Sequence, residues 1–155
     1  MSTETKLTIR DILSKPWDEL DKQQVFDQIA EHLLTQSSKS RQTIENSGCS
    51  SRCAYRGDEG AKCAIGVLIP DEEYRGDMES KAVYSVVTQF YGLLLDEKVT
   101  NFLQMFQGIH DSYDVCAWQR ALKSVPGQLR GCRSINTDIL DQFTWNEGEQ
   151  RYVRQ

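Results

Sequence analysis

A chain of 155 residues, 39 % hydrophobic and 26 % charged, is the size of one domain with ordinary globular usage. That length buries about two thirds of the unfolded surface, so the core needs no metal or disulfide to form. A net charge of −5 argues against a generic nucleic-acid binder, which relies on a basic excess facing phosphates, and is compatible with a basic partner surface.

The opening residues Met1-Ser-Thr-Glu-Thr-Lys hold no apolar stretch, so the expectation is a protein that is not exported. No apolar run approaches the roughly 18 residues of a membrane span. Five cysteines, an odd number, then read as reduced thiols of a cytoplasmic protein.

Residues 1–7 read as a frayed polar tail, and a short helix over residues 9–13 is stopped by Pro16. Asp21 caps a second helix, on which Val25, Phe26, Ile29, Ala30, Leu33 and Leu34 share one face. The polar run 35–41 ends that helix and opens a Ser-rich loop to residue 52, within which residues 42–46 could pair as an edge. A β-hairpin follows. Residues 53–56 form its first strand and Gly57-Asp-Glu-Gly60 its turn. The second strand is residues 62–69, which run apolar after Lys62 as if buried on both faces. Pro70 stops it.

The spacing predicts a helix over residues 79–91, with Gly92 as its break, and a helix capped by Asp96 and striped by Val99, Phe102, Leu103, Phe106 and Ile109. A further helix follows Asp114 and carries Trp118, Ala121 and Leu122, and a last short one spans residues 137–143. Residues 145–155 read either as a strand or as disordered, with the last few residues flexible. The expected architecture is α+β: one domain of about five helices on a small antiparallel sheet with a central β-hairpin.

Four groups of residues are candidate sites. Cys49, Cys53 and Cys63 supply only one end of a structural zinc site, which takes four ligands with a close cysteine pair at each end. Cys53 and Cys63 could face each other across the hairpin, but small buried hydrophobes are the better reading and no metal or cofactor is expected. Arg56 and Lys62 flank the turn and, with Tyr55, offer an edge for a phosphate or carboxylate, opposed by Asp58 and Glu59.

His110-Asp111 resembles the metal-binding pair of phosphohydrolases, yet the chain has only one other histidine, His32; a structural His110 bonding a backbone carbonyl is favoured. The acidic stretch Asp71, Glu72, Glu73, Asp77 and Glu79 could hold magnesium, but it follows a proline where a capping turn wants negative charge anyway. The P-loop, the dinucleotide-binding glycine pattern, the nucleophile elbow and the zinc-protease motif are all missing.

The ordered motifs Val25 to Ser40 (VFDQIAEHLLTQSSKS), Cys53-Ala-Tyr-Arg56, Lys62-Cys-Ala-Ile-Gly66, Leu68-Ile-Pro-Asp-Glu-Glu-Tyr74, Phe102-Leu103 and Gln107-Gly-Ile-His-Asp111, with Trp118, resemble a family of small proteins of bacteriophages and scattered bacteria. The resemblance covers residues 25–122. The loop holding Cys49 is longer than the family's link, and residues from Gln128 onward have no counterpart in it. It implies a setting rather than a catalytic residue: host takeover or counter-defence inside the host cytoplasm.

The expected function is therefore non-enzymatic binding of a host or anti-phage defence component. The alternatives are a nucleotide or phosphate site on Tyr55, Arg56, Lys62, His110 and Asp111, and, more weakly, a hydrolase or nuclease using His110 with Asp111. The numerous apolar faces are compatible with a homodimer.

Overall fold

The computed structural model describes residues 5–43, 51–92 and 96–155, apart from the side chains of residues 51 and 52. Helix α1 (Ile9–Leu13) begins with a reciprocal cap: Thr8 Oγ1 accepts the Asp11 amide, and the Asp11 carboxylate accepts that of Thr8. Pro16 opens a single 3-10 turn, Trp17–Glu19. Asp21 then caps α2 (Lys22–Gln36) through the Gln24 amide, and all six residues of its expected apolar face are fully buried. Burying six such side chains contributes about 10 kcal/mol of gross stabilisation, which is why this helix organises the core.

The stretch before α1 is not frayed where it is described. Leu7 exchanges two hydrogen bonds with the Gln28 amide, and the Thr5 carbonyl accepts from Gln24.

The chain leaves α2 through Ser37 in a left-handed conformation (φ 51°). Strand β1 (Arg41–Thr43) pairs antiparallel with β2 (Ser51–Cys53), Arg41 opposite Cys53. The edge expected over residues 42–46 thus forms at residues 42 and 43, residues 44–46 lying outside the described residues, and its partner is mostly the end of the expected loop, with only Cys53 from the expected first hairpin strand.

The remainder of that hairpin shrinks to one bridge, Arg56 opposite Lys62, around a 3-10 turn at Asp58–Gly60. Residues 63–69 are buried as their apolar run implies, Val67 only partly, but they are not a strand: Gly66–Leu68 is a 3-10 turn. A short apolar run reports burial and leaves the backbone conformation open. Gly66 is required there, since a Cβ would lie 2.2 Å from the Tyr55 carbonyl oxygen.

The helix expected over residues 79–91 starts late, as α3 (Val83–Val86), and continues into a π-helical turn, Val87–Tyr91, that ends on a left-handed Gly92. Ser80 stands at φ 64°, incompatible with helix, and the Glu79 side chain is engaged elsewhere. Asp96 caps α4 (Glu97–Ser112), which buries Val99, Phe102, Leu103, Phe106 and Ile109. Trp118 begins α5 (Trp118–Lys123) after one 3-10 turn and is fully buried. Residues 138–142 form only a 3-10 turn.

The C-terminal segment resolves as strand. Strand β3 (Phe143–Asn146) pairs with β4 (Arg151–Arg154). Tyr152 anchors this hairpin on the helices: its amide donates to Ser37 Oγ, and its hydroxyl accepts the Gln119 amide while facing the Val115 and Cys116 carbonyls. The molecule is accordingly helical α+β; among the described residues its strands form two separate antiparallel pairs, and one connected hydrophobic core reaches from Ile9 to Tyr152. Among the described residues no helix is long and apolar enough to cross a membrane.

Candidate functional site

The cationic edge forms as expected and is filled by the chain itself. Arg56 Nη2 lies 3.1 Å and Lys62 Nζ 3.5 Å from the same oxygen of Asp71. The guanidinium also donates to the carbonyls of Gly66 and Ile69 and rests over the Tyr74 ring, 4.9 Å from its centroid. Lys62, and then Arg56, hold the exposed Asp71 carboxyl below its ordinary range. An internal carboxylate thus takes the place of the anion that this pair could bind, and the remaining guanidinium donors satisfy carbonyls of a segment with no sheet partner.

Tyr55 is buried and does not face that edge as a free hydroxyl. Its OH donates to the Lys81 carbonyl at 2.6 Å, and burial raises its pKa above the ordinary value. Beside it sits a carboxylate read from the sequence only as part of an acidic stretch. Glu79, 8 % exposed, accepts the amides of Tyr55 (2.9 Å) and Arg56 (3.1 Å) and the hydroxyl of Tyr74. Burial, reinforced by the bond to Glu79, pushes the Tyr74 phenol up to about 12. The other acids of the stretch disperse: Asp71 goes to Arg56 and Lys62, and Glu73 stands 3.8 Å from Arg10. No magnesium-type convergence results.

The second constellation surrounds His110, which is fully buried and stacks on Trp118 with ring centroids 5.5 Å apart. Its Nδ1 lies 2.7 Å from Asp111 Oδ1, and its Nε2 accepts the backbone amide of Ser40 at 2.9 Å. The Ser40 N–H can only donate, so Nε2 carries the lone pair and the ring proton sits on Nδ1. The same carboxylate oxygen accepts from Gln107 Nε2 at 3.0 Å, and Cys53 Sγ lies within 4.8 Å of the Asp111 carboxylate. Burial acts to raise the Asp111 pKa, but hydrogen bonds from His110, Gln107 and Cys53 outweigh it and leave the group below its ordinary value. Burial first, and then the Asp111 charge, push the Cys53 thiol up.

Cys53, His110 and Asp111 bring ligand-type atoms within 4.8 Å of one another, and they define neither a nucleophilic triad nor a ready metal site. The imidazole lone pair is used by Ser40 and the ring proton faces Asp111, so neither nitrogen is left to activate the thiol. A metal on Nδ1 would move the ring proton to Nε2, directly against the Ser40 N–H. Cys49 lies outside the described residues. Cys53 does not face Cys63: it pairs with Arg41, whereas Cys63 is fully buried, accepts the Gly66 amide at 3.2 Å, and is driven up to about 12 by burial.

The five candidate residues lie in one part of the molecule but do not open into one pocket. The principal surface depressions are lined by other described residues. Sequence reasoning missed Glu79 and Gln107 as organisers. Gln107 had a usable signal, since it stands four residues before Asp111 on one helix face; the bonds of Glu79 are long-range and left none. Comparison of the chain with protein-family models, with curated proteins and with solved structures returned no match.

Proposed function

We propose that this chain is a non-enzymatic, phage-encoded binding protein that acts inside the host cell on a host or anti-phage defence component. One observation carries the non-catalytic half of the reading: the cations, the Tyr55 phenol and the imidazole of the candidate region are committed to the fold. Arg56 and Lys62 hold Asp71, Tyr55 holds the Lys81 carbonyl, and His110 spends both nitrogens on Asp111 and Ser40. A general base or nucleophile needs a lone pair or proton facing substrate, and the imidazole here has neither to give. The phage setting rests on the motif resemblance of residues 25–122 alone.

Tyr84 and Tyr113, 59 % and 49 % exposed, are large rings of the type that anchors protein interfaces. The test is affinity capture from host lysate followed by reconstitution of the complex from purified components. A complex that re-forms, and is weakened by Tyr84→Ser or Tyr113→Ser, supports the reading. No reconstituted partner, together with turnover of a substrate, overturns it.

A further inference from the structure

We infer that the cavity bounded by Trp17, Lys98, Asn101 and Arg130 is a site for a small phosphorylated ligand, distinct from the Arg56 and His110 regions. The cavity measures about 310 Å³, at the lower end of small-molecule sites and of the order of a mononucleotide.

Three elements build it. Trp17 is held from several sides: its amide donates to Asp96 Oδ2 at 2.9 Å, its carbonyl accepts Lys22 Nζ at 2.7 Å, and its ring packs edge-on against Phe102 at 5.4 Å. The same Asp96 caps α4 through the Lys98 amide at 3.0 Å, which fixes Lys98 beside the indole. Gly131, at φ +93°, supplies the facing wall: a Cβ there would lie 2.7 Å from Trp17 Nε1. A glycine at this turn therefore leaves room around the indole N–H.

That N–H points to a ligand. Trp17 is only 5 % exposed, yet its Nε1–H finds no acceptor among the described residues. Among the described residues it is not one of the fully sealed unpaired atoms, which are Glu73 Oε1, Tyr91 Oη and Thr100 Oγ1, and its residue lines the cavity. An acceptor seated in the cavity can take this unengaged donor.

The charges around it are of matching kind. Neither Lys98 nor Arg130 forms an ion pair among the described residues. Arg130 also belongs to residues 115–137, a stretch with four cations and no carboxylate, in a chain whose remaining residues carry fourteen cations against 23 carboxylates. An indole N–H, an ammonium, a guanidinium and the Asn101 amide together form a donor set for an oxyanion. Asp18, also on the rim, repels a bare polyanion and suits a ligand that carries a hydroxyl or amino donor beside its phosphate.

The test follows the Trp17 indole N–H in ¹H–¹⁵N spectra, its resonance assigned by its loss in Trp17→Phe. Adenosine monophosphate is the probe, with inorganic phosphate and adenosine as the other arms. The expected result is a saturable shift of the Trp17 resonance with the monophosphate, a weaker one with inorganic phosphate, and at least about tenfold weaker binding in the exposed-site variants Arg130→Ala and Lys98→Ala. No response of that resonance to either phosphate overturns the site, as does adenosine binding as tightly as its monophosphate, or unchanged binding in both variants.

Discussion

His110 and Asp111, neighbours in sequence, are joined by a 2.7 Å hydrogen bond while the far nitrogen of the same ring accepts the Ser40 amide at 2.9 Å. This pairing fixes the tautomer, ties the end of α4 to the entrance of β1, and removes the imidazole from chemistry. Truncating His110 to Ala deletes a fully buried ring and strands the Ser40 N–H, so a loss of about 3 kcal/mol in denaturant unfolding is expected. A His110→Ala variant as stable as the parent would contradict the structural role.

The same proton arrangement bears on metals. Zinc at Cys53, His110 and Asp111 would need the ring proton moved against Ser40 and a thiol that burial holds in its protonated form. Stoichiometric zinc added to the purified protein is expected to leave Tm unchanged and to be lost on dialysis. One retained equivalent would show that the site rearranges.

The Asp111 pKa is lowered in the folded state, so its contribution is present above the unfolded carboxylate value, about 3.9, and is lost as pH falls through the folded value. Asp111→Asn should therefore lower Tm at neutral pH and flatten the acid limb of a Tm-against-pH profile, the two curves converging at low pH. Parallel curves would mean that the carboxylate charge contributes nothing.

Thiol reactivity should follow exposure and pKa. Cys116 is exposed, Cys53 half-buried and raised by burial and by Asp111, and Cys63 and Cys132 fully buried. Among these four described cysteines, site-resolved alkylation is expected to label Cys116 first and Cys53 more slowly, with Cys63 and Cys132 modified only on opening of the fold. Early labelling of Cys63 would contradict its burial.

Much of the helical scaffold was legible because its determinants are local. Asp21 and Asp96 cap helices where a carboxylate can reach an amide three or two residues on, and Gly92 ends one by its left-handed backbone. The burial of residues 63–69 was legible too, but their conformation was not. Arg56 takes the Gly66 and Ile69 carbonyls that a neighbouring strand would otherwise satisfy, and no spacing rule announces a guanidinium used this way. Glu79 was hidden for the same reason, since its acceptor role depends on Tyr55 and Arg56, more than twenty residues away.

Gly66 tests that arrangement sharply. A methyl group at this position would meet the Tyr55 carbonyl at 2.2 Å, backbone against backbone, so Gly66→Ala should cost about 2 kcal/mol or more. Near-parental stability would show that the turn is not packed as described.

The most direct test of the central claim uses Lys62→Ala, which removes one ion pair with Asp71 and leaves the hydrogen bonds of the Lys62 backbone to His32 and Gln36 in place. Affinity of the complex reconstituted with a partner captured under the proposed function should be measured for wild type and for this variant. The account predicts a defined complex whose affinity Lys62→Ala changes less than about threefold, as for a surface ion pair. Failure to form any complex, with a substrate turned over by the wild type and not by Lys62→Ala, would contradict it.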